Sequence, residues 1–220
     1  MSWDDLREWV PQLLWAAGGT LKMTVLAYAI AVLVGLLIAL ARRSRRRSLA
    51  GVATWYVELV RGTPALTQLF LIYFGLASAG VVLSAFIAAV IGLGLNYSAY
   101  VSEVYRAGID AVHRGQREAA LAIGMTNALA MRSIVLPQAL RIIVPPMANY
   151  AVSLLKDTSV ASLISAPELM LRARDLSSEY FMPMELYLLA GAMYLVMAYP
   201  LGKGAQYLEV RMGKGRVAAS

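Results

Sequence analysis

The sequence predicts an all-α integral membrane protein with five transmembrane helices, and three observations carry that prediction. Of its 220 residues, 60% are hydrophobic and only 15% charged, against roughly 45–50% and about 25% in an average soluble domain. Uncharged runs recur at lengths near the ~20 residues that a helix needs to cross a bilayer at about 1.5 Å per residue. The basic residues crowd beside alternate runs, as they do in loops that stay in the cytoplasm. That crowding accounts for the net charge of +7 without nucleic acid, for which no aromatic-basic motif is present. With no cysteine and a single histidine, His113, the chain has no disulfide, thiolate metal site or thiol nucleophile, and a histidine cluster or triad is disfavoured.

The first segment, residues 1–17, "MSWDDLREWVPQLLWAA", is acidic and amphipathic and lacks the basic start and cleavage pattern of a signal peptide. Trp3, Trp9 and Trp15 predict an interfacial helix with indole rings at headgroup level. Met23 to Ala41 is uncharged and predicts a span over about 20–41. Gly62 to Ser102 is uncharged for 41 residues, enough for two spans, placed at about 53–76 and 83–105. The chain is expected to turn within "GLASAGVVLS", Gly75 to Ser84. Arg61-Gly62-Thr63-Pro64 reads as a helix stop and restart, with Thr63 as N-cap and Pro64 at the first helical position. A loop over about 110–132 follows. Ser133 to Leu155, broken only by Arg141, predicts a span over 134–156. Leu186 to Gly202, extended past a snorkelling Lys203, predicts the last over 186–208, and residues 210–220 form a solvated tail.

Alternating the loops gathers thirteen Lys and Arg on one side, at Arg42 to Arg47, Glu103 to Arg132 and beyond Gly202, and five on the other. The N-terminus is therefore expected outside and the C-terminus in the cytoplasm. The loop before the fourth span then faces the cytosol. Within it, "REAALAIGMTNALAMRSIVLP" combines helix formers over residues 114–123, an apolar set at Ala119, Ala120 and Ile123, and a Gly124 suited to a left-handed helix end. Pro137 is placed to open the next helix. Two alanines beside Glu118 give either a surface that another protein approaches closely or a helix resting on lipid.

Glu118-Ala119-Ala120, three residues, Gly124, nine residues and then Ile134-Val135-Leu136-Pro137 resembles the EAA motif of membrane subunits of binding-protein-dependent ABC importers. "RGTPALTQLFLIYFGL" from Arg61, "YVSEVYRAGI" from Tyr100, "PQALRIIVPPMANY" from Pro137 and "LLKDTS" from Leu155 are similar to permeases of polar amino-acid importers. The likeness runs over 18–209. It implies a type I ABC importer permease fold in a bacterial inner membrane. Glu118, Ala119, Ala120, Gly124 and Pro137 would form the coupling element seated on an ATPase. The resemblance also implies two ABC ATPase subunits, a second permease subunit, identical or homologous, and an extracytoplasmic solute-binding protein. No phosphate-loop pattern G-x-x-x-x-G-K-[ST] occurs, and "GKGAQY" from Gly202 lacks its spacing and hydroxyl. ATP and Mg are thus expected on the partner ATPase, with no cofactor and no covalent chemistry on this chain.

Charges inside spans are expensive and become site candidates. They are Glu58, Arg61, Glu103, Arg106, Arg141, Lys156 and Asp157. Lys156, Asp157, Thr158 and Ser159 offer both signs and two hydroxyls, matching a zwitterion; a Lys156–Asp157 structural network is the alternative. Glu103 and Arg106, three apart, either pair with each other or face the substrate. Arg141 is expected to snorkel to the headgroups. Arg61 borders the path or the subunit seam, and Asn96, Tyr97 and Ser98 either line a helix face or bond to neighbouring helices. The expected function is the pore-forming subunit of an ATP-driven importer of polar amino acids or similar zwitterions; the rivals are an ion-coupled carrier and a non-transporting assembly or signalling subunit.

Overall fold

The computed structural model describes residues 3–213, and among them every regular element is a helix. In chain order these are α1 (Trp3–Arg42), α2 (Arg47–Arg61), α3 (Ala65–Ser78), α4 (Ala85–Asp110), α5 (Arg114–Ala122), α6 (Asn127–Ile164), α7 (Leu169–Tyr180) and α8 (Pro183–Gly213). Four of them, α1, α4, α6 and α8, are long and apolar enough to cross a membrane, and α2 with α3, bent by 108° at the break between them, passes the same test as a pair, either as a broken fifth span or as a re-entrant loop. Outward-facing leucines and valines such as Val25, Leu33, Leu37, Leu195 and Val196 are more than half exposed. An apolar outer surface is what a lipid solvent requires.

The helix at the centre is α4, whose buried residues run from Ala88 to Ser102 between α1, α3 and α6. Its contact with α1 is close because glycines face it: a Cβ on Gly94 would lie 2.8 Å from Ile30 Cβ and 3.1 Å from the Ala27 carbonyl oxygen. One on Gly35 would lie 2.9 Å from the Ser98 carbonyl oxygen. Lipid tails give helices no hydrophobic reason to associate, so this backbone proximity and the dispersion it permits hold the pair. Gly94→Val is expected to push the two helices apart at a cost of about 1–3 kcal/mol, read as a lower thermal midpoint in detergent. Gly191→Val, where a new Cβ meets nothing within 4 Å, serves as the control and should leave the midpoint nearly unchanged.

The predicted boundary near residue 17 falls inside α1, which runs unbroken for 40 residues through Pro11, Gly18 and Gly19. The reason is packing: α7 lies against the first half of α1, so those residues belong to the bundle. Trp9 is accordingly fully buried with Leu13, Leu169, Leu176 and Leu186, edge-on to Tyr180 at 5.4 Å. This corrects its expected place among headgroups; Trp15, 82% exposed, does point outward. The side chain of Trp3 and the tail from residue 214 lie outside what is described, while Arg211 and Met212 still belong to α8.

The stop and restart at 61–64 is present, shifted by one residue. Pro64 itself is the extended N-cap of α3 (φ −63°, ψ 138°), and a proline pushes the residue before it out of the helical region. The Thr63 hydroxyl turns back to donate to the Leu59 carbonyl at 2.8 Å, so it does not cap α3. Gln68 closes the break: its Nε2 lies 2.8 Å from the Val60 carbonyl and 2.8 Å from Thr63 Oγ1. Asn96 Nδ2 donates to Gln68 Oε1 at 3.1 Å. The turn between α3 and α4 comes at Gly80, with φ +88°, inside the predicted stretch.

Pro137 stands at the head of the α-helical stretch from Leu136, as expected, but that stretch continues a longer helix instead of starting one afresh. Thr126, which accepts from Leu129 N at 3.2 Å, caps α6, so the helix is already formed when Pro137 arrives. A π turn over Met131–Val135 precedes it, in which Leu136 N–H reaches back five residues to the Met131 carbonyl. Such a turn accommodates the ring and the missing N–H without ending the helix.

Candidate functional site

The short helix α5 stands away from the bundle and is fixed at both ends. His113 Nδ1 accepts from Gly115 N at 3.1 Å, capping its start. At its end Gly124 N–H bonds to the Leu121 carbonyl at 3.0 Å and Met125 N–H to the Ala120 carbonyl at 3.1 Å. These are the two bonds of a Schellman ending, with Gly124 in the left-handed position at φ +88°. Arg117 donates to Asn127 Oδ1 at 2.8 Å, tying α5 to the first turn of α6. The expected apolar face is redistributed. Ala120 alone is buried, while Glu118, Ala119 and Ile123 are exposed, Ile123 to 80%. α5 is therefore a knob with an alanine and an isoleucine on its outer surface beside one carboxylate.

A second site lies where α3, α4 and α6 meet. A cavity of about 440 Å³ is lined by Thr63, Asn96, Tyr97, Tyr100, Tyr150, Ser153, Lys156 and Asp157. Tyr97 OH donates to Asp157 Oδ2 at 2.6 Å. Tyr97 and Tyr150 meet edge-on at 6.1 Å, and Tyr100 lies 5.9 Å from Tyr150. Arg61 sits over the Tyr100 ring at 5.7 Å. Lys156 and Asp157 are both exposed, so a cation and an anion from neighbouring residues open on one aromatic-walled space. That arrangement can hold a small solute by both of its charges.

The two hydroxyls expected beside them do otherwise. Thr158 is fully buried and donates to the Leu155 carbonyl at 2.7 Å, and Ser159 donates to the Lys156 carbonyl at 2.7 Å. A tight 3₁₀ turn over Thr158–Ile164 brings those carbonyls within reach.

Glu103 and Arg106 sit apart from the cavity lining. Glu103 accepts from Arg42 at 2.6 Å and from Arg106 at 2.7 Å, with Arg61 at 3.5 Å. Three guanidinium groups on α1, α2 and α4 thus share one carboxylate, which places Glu103 and Arg106 in a tie between helices. Arg61 belongs to both settings, touching Glu103 and Tyr100. Asn96, Tyr97 and Ser98 all bond to neighbours, Ser98 with the Tyr56 hydroxyl at 2.9 Å, and the first two also line the cavity. Arg141 is exposed on α6, and Glu58 on α2.

Tyr100, Tyr150, Ser153 and Gln68 were not among the predicted site residues. Tyr150 and Ser153 carried a readable signal, since with the predicted Asp157 they recur at three- and four-residue intervals along one stripe of α6. Tyr97 and Tyr100 show the same spacing.

Residues 9–214 match the family described as binding-protein-dependent transport system inner membrane component. The chain is 37% identical over 195 residues to the probable glutamine ABC transporter permease protein GlnM of Bacillus subtilis, covering 89% of this chain and 90% of that one. It is 37% identical over 231 residues to the arginine transport system permease protein ArgU of Corynebacterium glutamicum, covering 97% of this chain and 72% of that one. Among solved structures, an amino acid ABC transporter crystallised with histidines has a chain that is 40% identical, with a TM-score of 0.91 over 96% of this chain and 99% of that chain.

Proposed function

The chain belongs to the binding-protein-dependent transport system inner membrane component family, and on that premise we propose that the cavity at Lys156 and Asp157 passes polar amino acids. It is a multi-pass, pore-forming permease subunit of an ATP-binding-cassette importer. The proposal goes further to its cargo, its partners and its sites. Lys156 takes the solute carboxylate and Asp157 its ammonium, while the tyrosines exclude competing water and Tyr97 aims the Asp157 carboxylate. The observation that carries this is the opposed pair of exposed charges within one aromatic cavity between spanning helices.

The knob formed by α5 seats on one of two ATPase subunits, which bind ATP and Mg, and nucleotide-driven closure moves α6 through the Arg117–Asn127 tie. Because α6 also carries Lys156 and Asp157, the force and the site share one helix. A second permease subunit completes the path, and an extracytoplasmic binding protein delivers the solute. The N-terminus is outside and α5 is cytoplasmic, in a bacterial inner membrane.

Co-expression with ABC ATPase and solute-binding protein candidates from the same organism, followed by reconstitution into liposomes, tests the reading. Uptake of radiolabelled L-glutamine or L-arginine that needs internal ATP and the binding protein is the expected result. Uptake driven by an ion gradient with no ATPase, or a complex that moves neither amino acid, would overturn it.

A further inference from the structure

One buried ionisable group lies outside both sites. Glu168, 1% exposed, sits between the end of α6 and the start of α7. Its Oε1 accepts from Leu171 N at 2.6 Å, and its Oε2 from Met170 N at 2.9 Å and from Tyr194 OH at 2.5 Å. Beside it, Thr20 Oγ1 accepts from Leu169 N at 3.0 Å. The two backbone bonds are an ordinary helix cap; the buried tyrosine and threonine from α8 and α1 are more than a cap requires. The junction lies next to the cavity along the chain: Glu168 follows Ile164, the last residue of the 3₁₀ turn that begins directly after Asp157, by four residues. Backbone packing reinforces it: a Cβ on Gly19 would lie 2.6 Å from the Pro167 carbonyl oxygen. Burial pushes the Glu168 carboxyl above the usual range, opposed by these hydrogen bonds.

Thr158 directly follows Asp157. We infer that Glu168 is a positioning residue: through Tyr194, and with Thr20 and Gly19 packed at the start of α7, it tethers the far end of the 3₁₀ segment that follows Asp157 to α8 and α1, and so fixes where Lys156 and Asp157 present their charges. This rests on the reading of that cavity as the solute site. A tether built from buried, mutually satisfied groups is stiff, since releasing any one partner strands the others without water.

The test uses the whole permease–ATPase complex in lipid nanodiscs. Tyr194→Phe removes the connecting oxygen while leaving the ring and the α7 cap in place. Hydrogen exchange of the amides of residues 158–166 should then quicken about tenfold, with α4 unchanged. In liposomes, for whichever of radiolabelled L-glutamine and L-arginine the wild type imports, KM should rise about fivefold with kcat within about twofold. Glu168→Gln, which keeps an acceptor oxygen, should fall between wild type and Tyr194→Phe on both measures. Unchanged exchange over 158–166 in Tyr194→Phe would overturn the tether. Faster exchange with KM unaltered would overturn the positioning role. Failure of the wild type to import either amino acid would instead count against the solute reading, and the exchange result would still decide the tether.

Discussion

Gly124→Leu should insert into the membrane at wild-type levels and yet lose ATPase association and solute uptake by roughly a hundredfold. A Cβ at this position meets nothing within 4 Å, so the penalty is not a clash within the chain. It comes from the backbone, which sits at φ +88°. Holding an L-residue in the left-handed region costs about 1–2 kcal/mol, or roughly 5–30-fold in an equilibrium. The loop can escape that cost only by giving up the paired bonds to Leu121 and Ala120 that end α5. The leucine side chain then adds bulk to the surface proposed to seat on the ATPase. A series separates the two effects. Gly124→Asn, tolerated in this conformation, should stay near normal, and Gly124→Ala should lose about tenfold from strain alone. Co-purified ATPase and uptake in liposomes read both, and full coupling in the leucine variant would sink the assignment of α5 as the lever.

Asp157→Asn is the second large effect. The substitution keeps an oxygen for Tyr97 and keeps the volume, so assembly should be preserved, but it removes the one acidic side chain that lines the cavity at α3, α4 and α6 among the described residues. A hydrogen bond to a charged group contributes about 1.5–3 kcal/mol, so uptake at low solute concentration should fall by at least about tenfold. Lys156→Met should fall comparably. Tyr97→Phe should raise KM severalfold with little change in complex yield, because Asp157 loses the donor that aims it. Wild-type uptake kinetics in both the Asp157 and the Lys156 variants would retire the cavity as the solute site.

The spans, the turn near Gly80 and the left-handed Gly124 were legible because each is governed by local chemistry: run length, turn residues and the absence of a Cβ. The motif around Glu118 was legible because its spacing is family-specific. What sequence could not show was which helix lies against which. Trp9 reads as an interfacial indole until α7 covers it. Thr158 reads as a solute ligand until the 3₁₀ turn directs its hydroxyl to Leu155 and buries it. Glu168 reads as one more acid in a polar segment, and only the convergence of α1, α7 and α8 makes it a junction. Pro137 shows a different limit: its place at the head of an α-helical stretch was legible, whereas the π turn that joins that stretch to the first turns of α6 was not.

The bend between α2 and α3 is stitched by two carboxamides, Gln68 and Asn96, together with a threonine hydroxyl. None of these groups titrates in any physiological range, and none loses strength when counterions accumulate, as exposed ion pairs do. A corner secured by neutral amides should thus hold its angle through swings of acidity and salinity in the surrounding medium. The aromatic-walled space beside it would then keep one shape while the cell's exterior changes.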